Sequence, residues 1–315
     1  IEWKCVLDNG VEVNNSDIKP ILDGAVISAK GDGKYRIRAI CSNGKEHAEI
    51  FSDLIFENIG FGSAQKNPYS FISASLYDYC NYTLNVIERS AVSGIKERTI
   101  ICYDNLDFGS YGSNEFILHC GHCDGNEPVP IEIWTGHPDD GGSLIDTIYF
   151  ENNGLWDRFA PQTFKLSEKI SGNLSICFAV NEHIIIGGFE FVKKNKAYQL
   201  IYAAENDGIY GDEYKTEGQS IINIGNNVVI NFTDMNFSDG TNKITVCGKT
   251  TNEFNTIQLR YNDENEQQQT QLLEFPNCSE FTEITFDLDT ISGNKDISFV
   301  FLPGSNFDFQ WFRFE

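Results

Sequence analysis

The chain has 315 residues, of which 41% are hydrophobic and 22% charged, and its formal net charge is −23. That length carries two or three domains with cores of their own, and the apolar fraction excludes a disordered chain. The acidic balance excludes the clustered Lys and Arg that nucleic acid or an anionic lipid surface requires, and no run approaches the ~18 apolar residues of a membrane-spanning helix. Solubility through self-repulsion is the plain consequence of the charge.

Twenty-four Phe and thirteen Tyr against a single Met favour strands, where aromatic and β-branched side chains pack well. The chain opens with Ile1 rather than Met, so its start reads as a cut in a longer protein. Residues 1–57 carry Trp3, a tight turn at Gly31-Asp32-Gly33 between strands near Val26–Lys30 and Tyr35–Ile40, and another turn at Ser42-Asn43-Gly44. They suggest a small immunoglobulin-like β-sandwich, short or truncated against the roughly 100 residues of that fold.

Residues 58–193 form the next expected domain. His119-Cys120-Gly121-His122-Cys123 ends a strand at Glu115–Cys120. Zinc wants four nitrogen or sulfur ligands, and no second CxxC or HxxxH follows, so the motif reads as a thiol-bearing strand end. Trp134 shares a strand face with Glu132, and Asp139-Asp140-Gly141-Gly142-Ser143 reads as a hairpin turn. Trp156, Asp157 and Phe159 stand in a loop-like stretch before a strand at Thr163, with Asn152 and Asn153 beside them. An exposed ring with amide and carboxylate neighbours suits a sugar, whose C–H faces stack on aromatics; burial between domains is the other reading of those rings. The nine cysteines lack framework spacing and read as mostly free thiols, which leans toward a cytoplasmic or anaerobic setting with an extracellular one left open.

Residues 194–315 complete the chain, with alternation such as Ile284-Thr285-Phe286-Asp287-Leu288-Asp289. An internal repeat relates this domain to the one before it. YDNLDFG (from Tyr103), PIEIW (Pro130), TFKLSEKISGNLSICF (Thr163) and GGFEF (Gly187) return in order as FTDMNFS (Phe232), TIQLRY (Thr256), TFDLDTISGNKDISFVF (Thr285) and QWFRF (Gln310). Two domains of one fold are expected, each closed by an aromatic strand, Phe189/Phe191 and Phe312/Phe314. The fold class is all-β: a small immunoglobulin-like sandwich followed by two jelly rolls.

The last copy resembles a family 6 carbohydrate-binding module through YAAEND (202–207), INIGNNVVINF (222–232) and FDFQWFRF (307–314). The whole chain also resembles the C-terminal, non-catalytic part of bacterial family 2 glycoside hydrolases of the β-galactosidase type, through AKGDGKYRIRA (29–39), NPYSFI (67–72), LDFGSYGS (106–113) and YGDEY (210–214). These resemblances imply glycan or galactoside binding beside a catalytic domain of the parent chain, with no catalysis in the fragment. A spacer or dimerisation region of that enzyme, a homo-oligomer without sugar affinity, is the alternative. The family 6 resemblance further implies a structural Ca²⁺ held by Glu205 and Glu217, oxygen ligands of the kind that ion prefers. The family's remaining Asp is Gln310 here, with Asp308 two residues earlier. Its sugar-holding positions fall on Ile221, Phe281 and Asp308. No GxSxG, HExxH or P-loop is present, and acidic residues without a scaffold do not make a glycosidase pair.

Overall fold

In the computed structural model the alternating side chains build strands almost throughout the described residues, linked by turns and short 3₁₀ segments. The structure describes residues 2–14, 16–21, 24–29, 31–42, 49–88, 90–121, 127–151, 159–238, 240–263 and 265–315. Among them no helix is long and apolar enough to cross a membrane. The chain divides into two compact units, Ile1–Lys193 and Lys194–Glu315.

The first unit opens with β1 (Glu2–Leu7), β2 (Ser16–Ile21), β3 (Gly24–Ala29), β4 (Gly33–Ser42) and β5 (Glu49–Asn58). β1, β4 and β5 form one antiparallel sheet and β2 pairs with β3. Cys5, Val13, Tyr35, Ile37 and Ala64 are buried together there. The turn at Gly31–Gly33 is present, and the Tyr35 hydroxyl donates to the Gly31 carbonyl at 2.7 Å. Its flanking strands nevertheless join different sheets, β3 to β2 and β4 to β1 and β5. Asn43 and Gly44 of the second expected turn lie outside the described residues. Five strands lie among the described residues there, against the seven of an immunoglobulin domain, so that assignment rests on resemblance.

The same unit continues with β6 (Ile72–Ser73), β7 (Tyr79–Cys80), β8 (Asn85–Ile87), β9 (Ala91–Ser93), β10 (Thr99–Asp107), β11 (Ser113–Gly121), β12 (Val129–Thr135), β13 (Ser143–Phe150), β14 (Ala160–Ile170), β15 (Asn173–Val180) and β16 (Ile185–Phe191). Two sheets, β13-β12-β15-β10-β7 and β14-β11-β16-β9-β8, face each other as a jelly roll. Tyr103, Phe116, Phe178, Phe189 and Phe191 lie in the core between them.

The second unit contains β17 (Ile201–Tyr202), β18 (Gly208–Tyr210), β19 (Lys215–Glu217), β20 (Ser220–Ile224), β21 (Val228–Asn236), β22 (Thr241–Asn262), β23 (Gln268–Ile291), β24 (Asn294–Phe301) and β25 (Phe307–Phe314). β22 and β23 are long enough to serve both layers, β22 pairing with β25 through residues 244–250 and with β24 through residues 257–261. The strand orders, β23-β22-β24-β21-β18 and β23-β22-β25-β20-β19, are those of the first unit's sandwich. The repeat read from the sequence is therefore a repeat of topology.

The likeness extends to detail. The β10–β15 ladder slips between Tyr103 and Leu106, and the β21–β24 ladder slips between Phe232 and Met235. Asn105 (φ 58°) and Asp234 (φ 57°) occupy the left-handed conformation at these equivalent bulges, which short polar residues tolerate best. Lys66 pairs with Asp78, and Lys196 pairs with Asp207 at 2.7 Å. The Tyr69 hydroxyl donates to the Phe108 carbonyl, and Tyr198 to that of Phe237.

Among the described residues the cysteines are mostly unbridged, as the sequence suggests, with one pair as the exception. Cys102 and Cys177 stand directly opposite each other on β10 and β15 and are disulfide-bonded; the register brings together two residues 75 apart in sequence. Among the described residues Cys5, Cys41, Cys80, Cys120, Cys247 and Cys278 are not disulfide-bonded.

Candidate functional site

Alternation along β21, β22 and β24 buries Ile230, Phe232, Ile257, Leu259, Phe299 and Phe301 in the second unit's core. The intervening residues point outward and shape an open groove of ≈ 220 Å³. Its lining includes Tyr210, Arg260, Gln268, Asp296 and Ser298. Tyr210 is 59% exposed at the end of β18. The Arg260 guanidinium is steadied by the Gln258 side-chain oxygen, 3.0 Å from Nε, and Ser298 Oγ lies 2.8 Å from Asn231 Oδ1. Asp296 accepts the Asp234 backbone N–H at 2.9 Å, which fixes one of its oxygens. An exposed ring with a guanidinium, an amide, a hydroxyl and a carboxylate around it offers a stacking surface with donors and acceptors for hydroxyl groups.

A second grouping unites two of the expected residues. Asp308, at the start of β25, accepts the Asn223 backbone N–H at 2.7 Å and pairs with Lys249 at 3.0 Å. Lys249 Nζ lies 5.1 Å from the centre of the Phe281 ring, which is 39% exposed. Phe281 and Asp308 thus meet through Lys249, a residue the sequence reading did not single out. The ammonium takes a face of the ring and the carboxylate at once. Ile221, the third position, is fully buried and opposite Phe309. It belongs to the core.

Each carboxylate expected to hold calcium has a protein partner. Glu205 accepts the Tyr202 backbone N–H at 3.1 Å, Glu217 is exposed and pairs with Lys215 at 2.8 Å, and Asp308 is engaged as above. Gln310 accepts from the Cys247 thiol. Among the described residues, the grouping of three or more potential metal ligands with donor atoms within 4.8 Å of one another is Cys102, His137 and Cys177. Six to eight oxygens are what Ca²⁺ gathers, and this arrangement does not fit it.

Of the first unit's aromatic candidates, Trp156 and Asp157 lie outside the described residues. Phe159 is 38% exposed and packs over Gly187, where an added Cβ would stand 2.9 Å from the ring. Trp134 donates through Nε1 to Glu132 at 2.9 Å, the strand-face pairing the sequence suggests. Cys120 is a core residue, whereas His119 lies on the other face of β11, half-buried against Phe71, with ring centroids 5.0 Å apart. Burial holds the His119 imidazole below its ordinary pKa, against the opposite pull of Glu190. His122 and Cys123 lie outside the described residues, as do residues 124–126. The Asp139–Ser143 stretch is the expected turn, with Gly141 left-handed at φ 86° between β12 and β13.

Two antiparallel sheets in one jelly-roll order, with a polar-aromatic groove on an outer face, define the second unit as a jelly-roll β-sandwich. Residues 202–315 match the family described as Carbohydrate binding module (family 6), and this segment is a domain of that family. Solved structures similar to part of the chain include a family 6 module from Clostridium stercorarium in complex with cellobiose (21% identity, TM-score 0.36, 41% of this chain and 98% of that one). Another is a β-1,3-glucan binding family 6 module from Bacillus halodurans (19% identity, TM-score 0.35, 41% of this chain and 99% of that one). A family 43 arabinoxylan arabinofuranohydrolase from Bacillus subtilis aligns with 99% of this chain and 68% of its own at 13% identity, with a TM-score of 0.33. No curated protein matches the chain.

Proposed function

We propose that the chain is a non-catalytic accessory region that holds a neutral glycan in the groove of its second unit. The observation that carries the reading is the exposed Tyr210 beside Arg260, Gln268 and Asp296, in the segment that matches the family 6 modules. A chain with a net charge of −23 repels polyanionic saccharides and is indifferent to neutral ones. Phe281 and Asp308 sit at the end of the same sandwich and, in this reading, contact sugar only if Lys249 gives way. Trp156, Asp157 and Phe159 form the proposed contact of the first unit.

Affinity electrophoresis through gels containing neutral β-glucans, xylan, galactan or polyanionic pectin is the direct test. Retardation by at least one neutral polymer, without retardation by pectin, is expected; equal mobility in all of them contradicts the proposal. The parent is proposed to be a glycoside hydrolase. Its β-galactosidase type rests on the order of the AKGDGKYRIRA, NPYSFI and LDFGSYGS motifs, and the fragment is expected to turn over no chromogenic galactoside. Calcium is proposed for a form of the second unit in which Glu205 and Glu217 share the ion, as the family 6 resemblance implies. A melting temperature raised by millimolar Ca²⁺ and lowered by chelator supports that form, and an unmoved melt opposes it.

The spacer or dimerisation reading draws on a different feature. Leu54, Ile55, Ile59 and Phe61 are exposed in the first unit, apolar side chains of the kind that dock on another protein. Light scattering at increasing concentration separates the two readings, since a spacer that dimerises gains mass without gaining sugar affinity.

A further inference from the structure

The groove face of the second unit has a counterpart in the first unit with different chemistry. Register and the shared bulge place Cys102 opposite Cys177 where the second unit has Asn231 opposite Ser298. Trp134 lies opposite Cys177 as Arg260 lies opposite Ser298. The second unit fills its pair with a hydrogen bond, and the first with two sulfurs.

A histidine and a carboxylate attend those sulfurs. A ring nitrogen of His137 lies within 4.8 Å of both. Asp104 Oδ1, on β10 two residues beyond Cys102, lies 3.0 Å from His137 Nε2. Both cysteines are fully buried, with Ile100 and Ala179 around them and Trp134 packed alongside. The Tyr79 ring leans on the imidazole at 5.3 Å between centroids. A void of ≈ 20 Å³, lined by Tyr79, Ile100, His137, Pro138, Asp139 and Asp140, adjoins the cluster. That is enough for one water or one ion.

We propose that Cys102, Cys177 and His137 form a site for a zinc-class ion when the cysteines are reduced. Two thiolates and an imidazole are ligands that Zn²⁺ accepts in tetrahedral sites, with water in the remaining position. Asp104 plays the part of the carboxylate that orients a metal-binding histidine. The disulfide and the metal exclude each other. A dithiol reduces the Cys102–Cys177 bond, delivering two electrons and two protons and becoming a disulfide itself, and Zn²⁺ then displaces the two thiol protons. In the reverse direction a small-molecule disulfide takes two electrons from the thiolates, the protein S–S bond forms, two small thiolates leave and Zn²⁺ is released. β10 and β15 are cross-linked either way, by a bond in oxidising surroundings and by a metal in reducing ones.

The test is titration of the whole chain with Co²⁺, followed by Zn²⁺ displacement, after reduction and anaerobic removal of the reductant. One Co²⁺ per chain, with a thiolate charge-transfer band and the visible bands of a tetrahedral ion, is expected from reduced protein and not from oxidised protein. Free cysteines elsewhere make variants necessary. Cys120→Ser is expected to leave the spectrum unchanged, Cys102→Ser to abolish the band, and His137→Ala to weaken Zn²⁺ at least tenfold while the circular dichroism stays that of the wild type. Should Cys102→Ser not fold, the thermal melt of reduced His137→Ala decides. Zn²⁺ raises the wild-type melt and leaves the variant's nearly unmoved if the site exists. Absence of the band in reduced wild type, its persistence in folded Cys102→Ser, or equal Zn²⁺ affinity in His137→Ala overturns the proposal.

Discussion

At the scale of single residues, the paired lysines are the most consequential feature that sequence inspection passes over. Lys196 is only 9% exposed, and Asp207 both pairs with it and accepts the Thr233 backbone N–H at 2.7 Å. Removing one partner of such a pair leaves the other charge buried, at a cost of about 3–5 kcal/mol. Lys196→Met is expected to lower the second unit's stability by that order in urea unfolding; a loss under about 1 kcal/mol would show that water already solvates the pair. Cys247 gives a chemical prediction. Burial, with Glu283 and Cys278 adding to it, pushes its thiol up to about 11, so little thiolate exists at pH 8. Iodoacetamide is expected to label the exposed Cys41 well before Cys247, and mass spectrometry of the labelled peptides reads the order directly. Asp53 sets an acid limit. Hydrogen bonds from Arg38, then Arg36, hold its carboxyl down to about 2. Its folded value lies below the ordinary carboxylate value of about 3.9, so its contribution is complete above that pH and disappears as pH falls toward 2. Asp53→Asn is expected to flatten stability against pH within that window, and a fall as steep as the wild type's contradicts the assignment.

At the scale of elements, the alternating aromatic strands were legible and their partners were not. The Phe312/Phe314 and Phe189/Phe191 pairs announce two closing strands, because one face of each must be apolar. Phe312 duly meets Phe232 at 4.7 Å and Phe299 at 4.8 Å. What sequence spacing cannot supply is register between strands far apart in the chain. Cys102 and Cys177 form a pair only because β10 and β15 align, while the conspicuous Cys120 and His119 diverge to opposite faces of β11. The same limit hid the groove, since Arg260, Gln268 and Asp296 are ordinary outward-facing polar residues until the sheet brings them side by side. Gly248 shows how tightly the ladders are built. An added Cβ would stand 2.2 Å from the Phe307 ring, where the β22–β25 pairing slips between Cys247 and Gly248. Gly248→Ala is expected to cost roughly 1–3 kcal/mol by overpacking, and a neutral effect in thermal melting would mean that the Phe307 ring moves aside freely.

At the scale of the whole molecule, one jelly-roll topology is used twice with two different outer faces. In the first unit that face is closed by a sulfur pair and covered by Trp134 and Tyr79. In the second it is open, polar and bordered by Tyr210, within the segment that matches the family 6 modules. Binding of neutral sugar at this open face, as proposed, is read by isothermal titration of the intact chain with the best-retained soluble oligosaccharide. Removal of an aromatic stacking partner is worth about 0.5–1.5 kcal/mol, so Tyr210→Ala is expected to weaken binding roughly two- to tenfold. Phe281→Ala, at the end of the sandwich, is expected to leave the affinity unchanged. Undiminished binding by Tyr210→Ala, or loss of binding in Phe281→Ala alone, would contradict the groove as the sugar site.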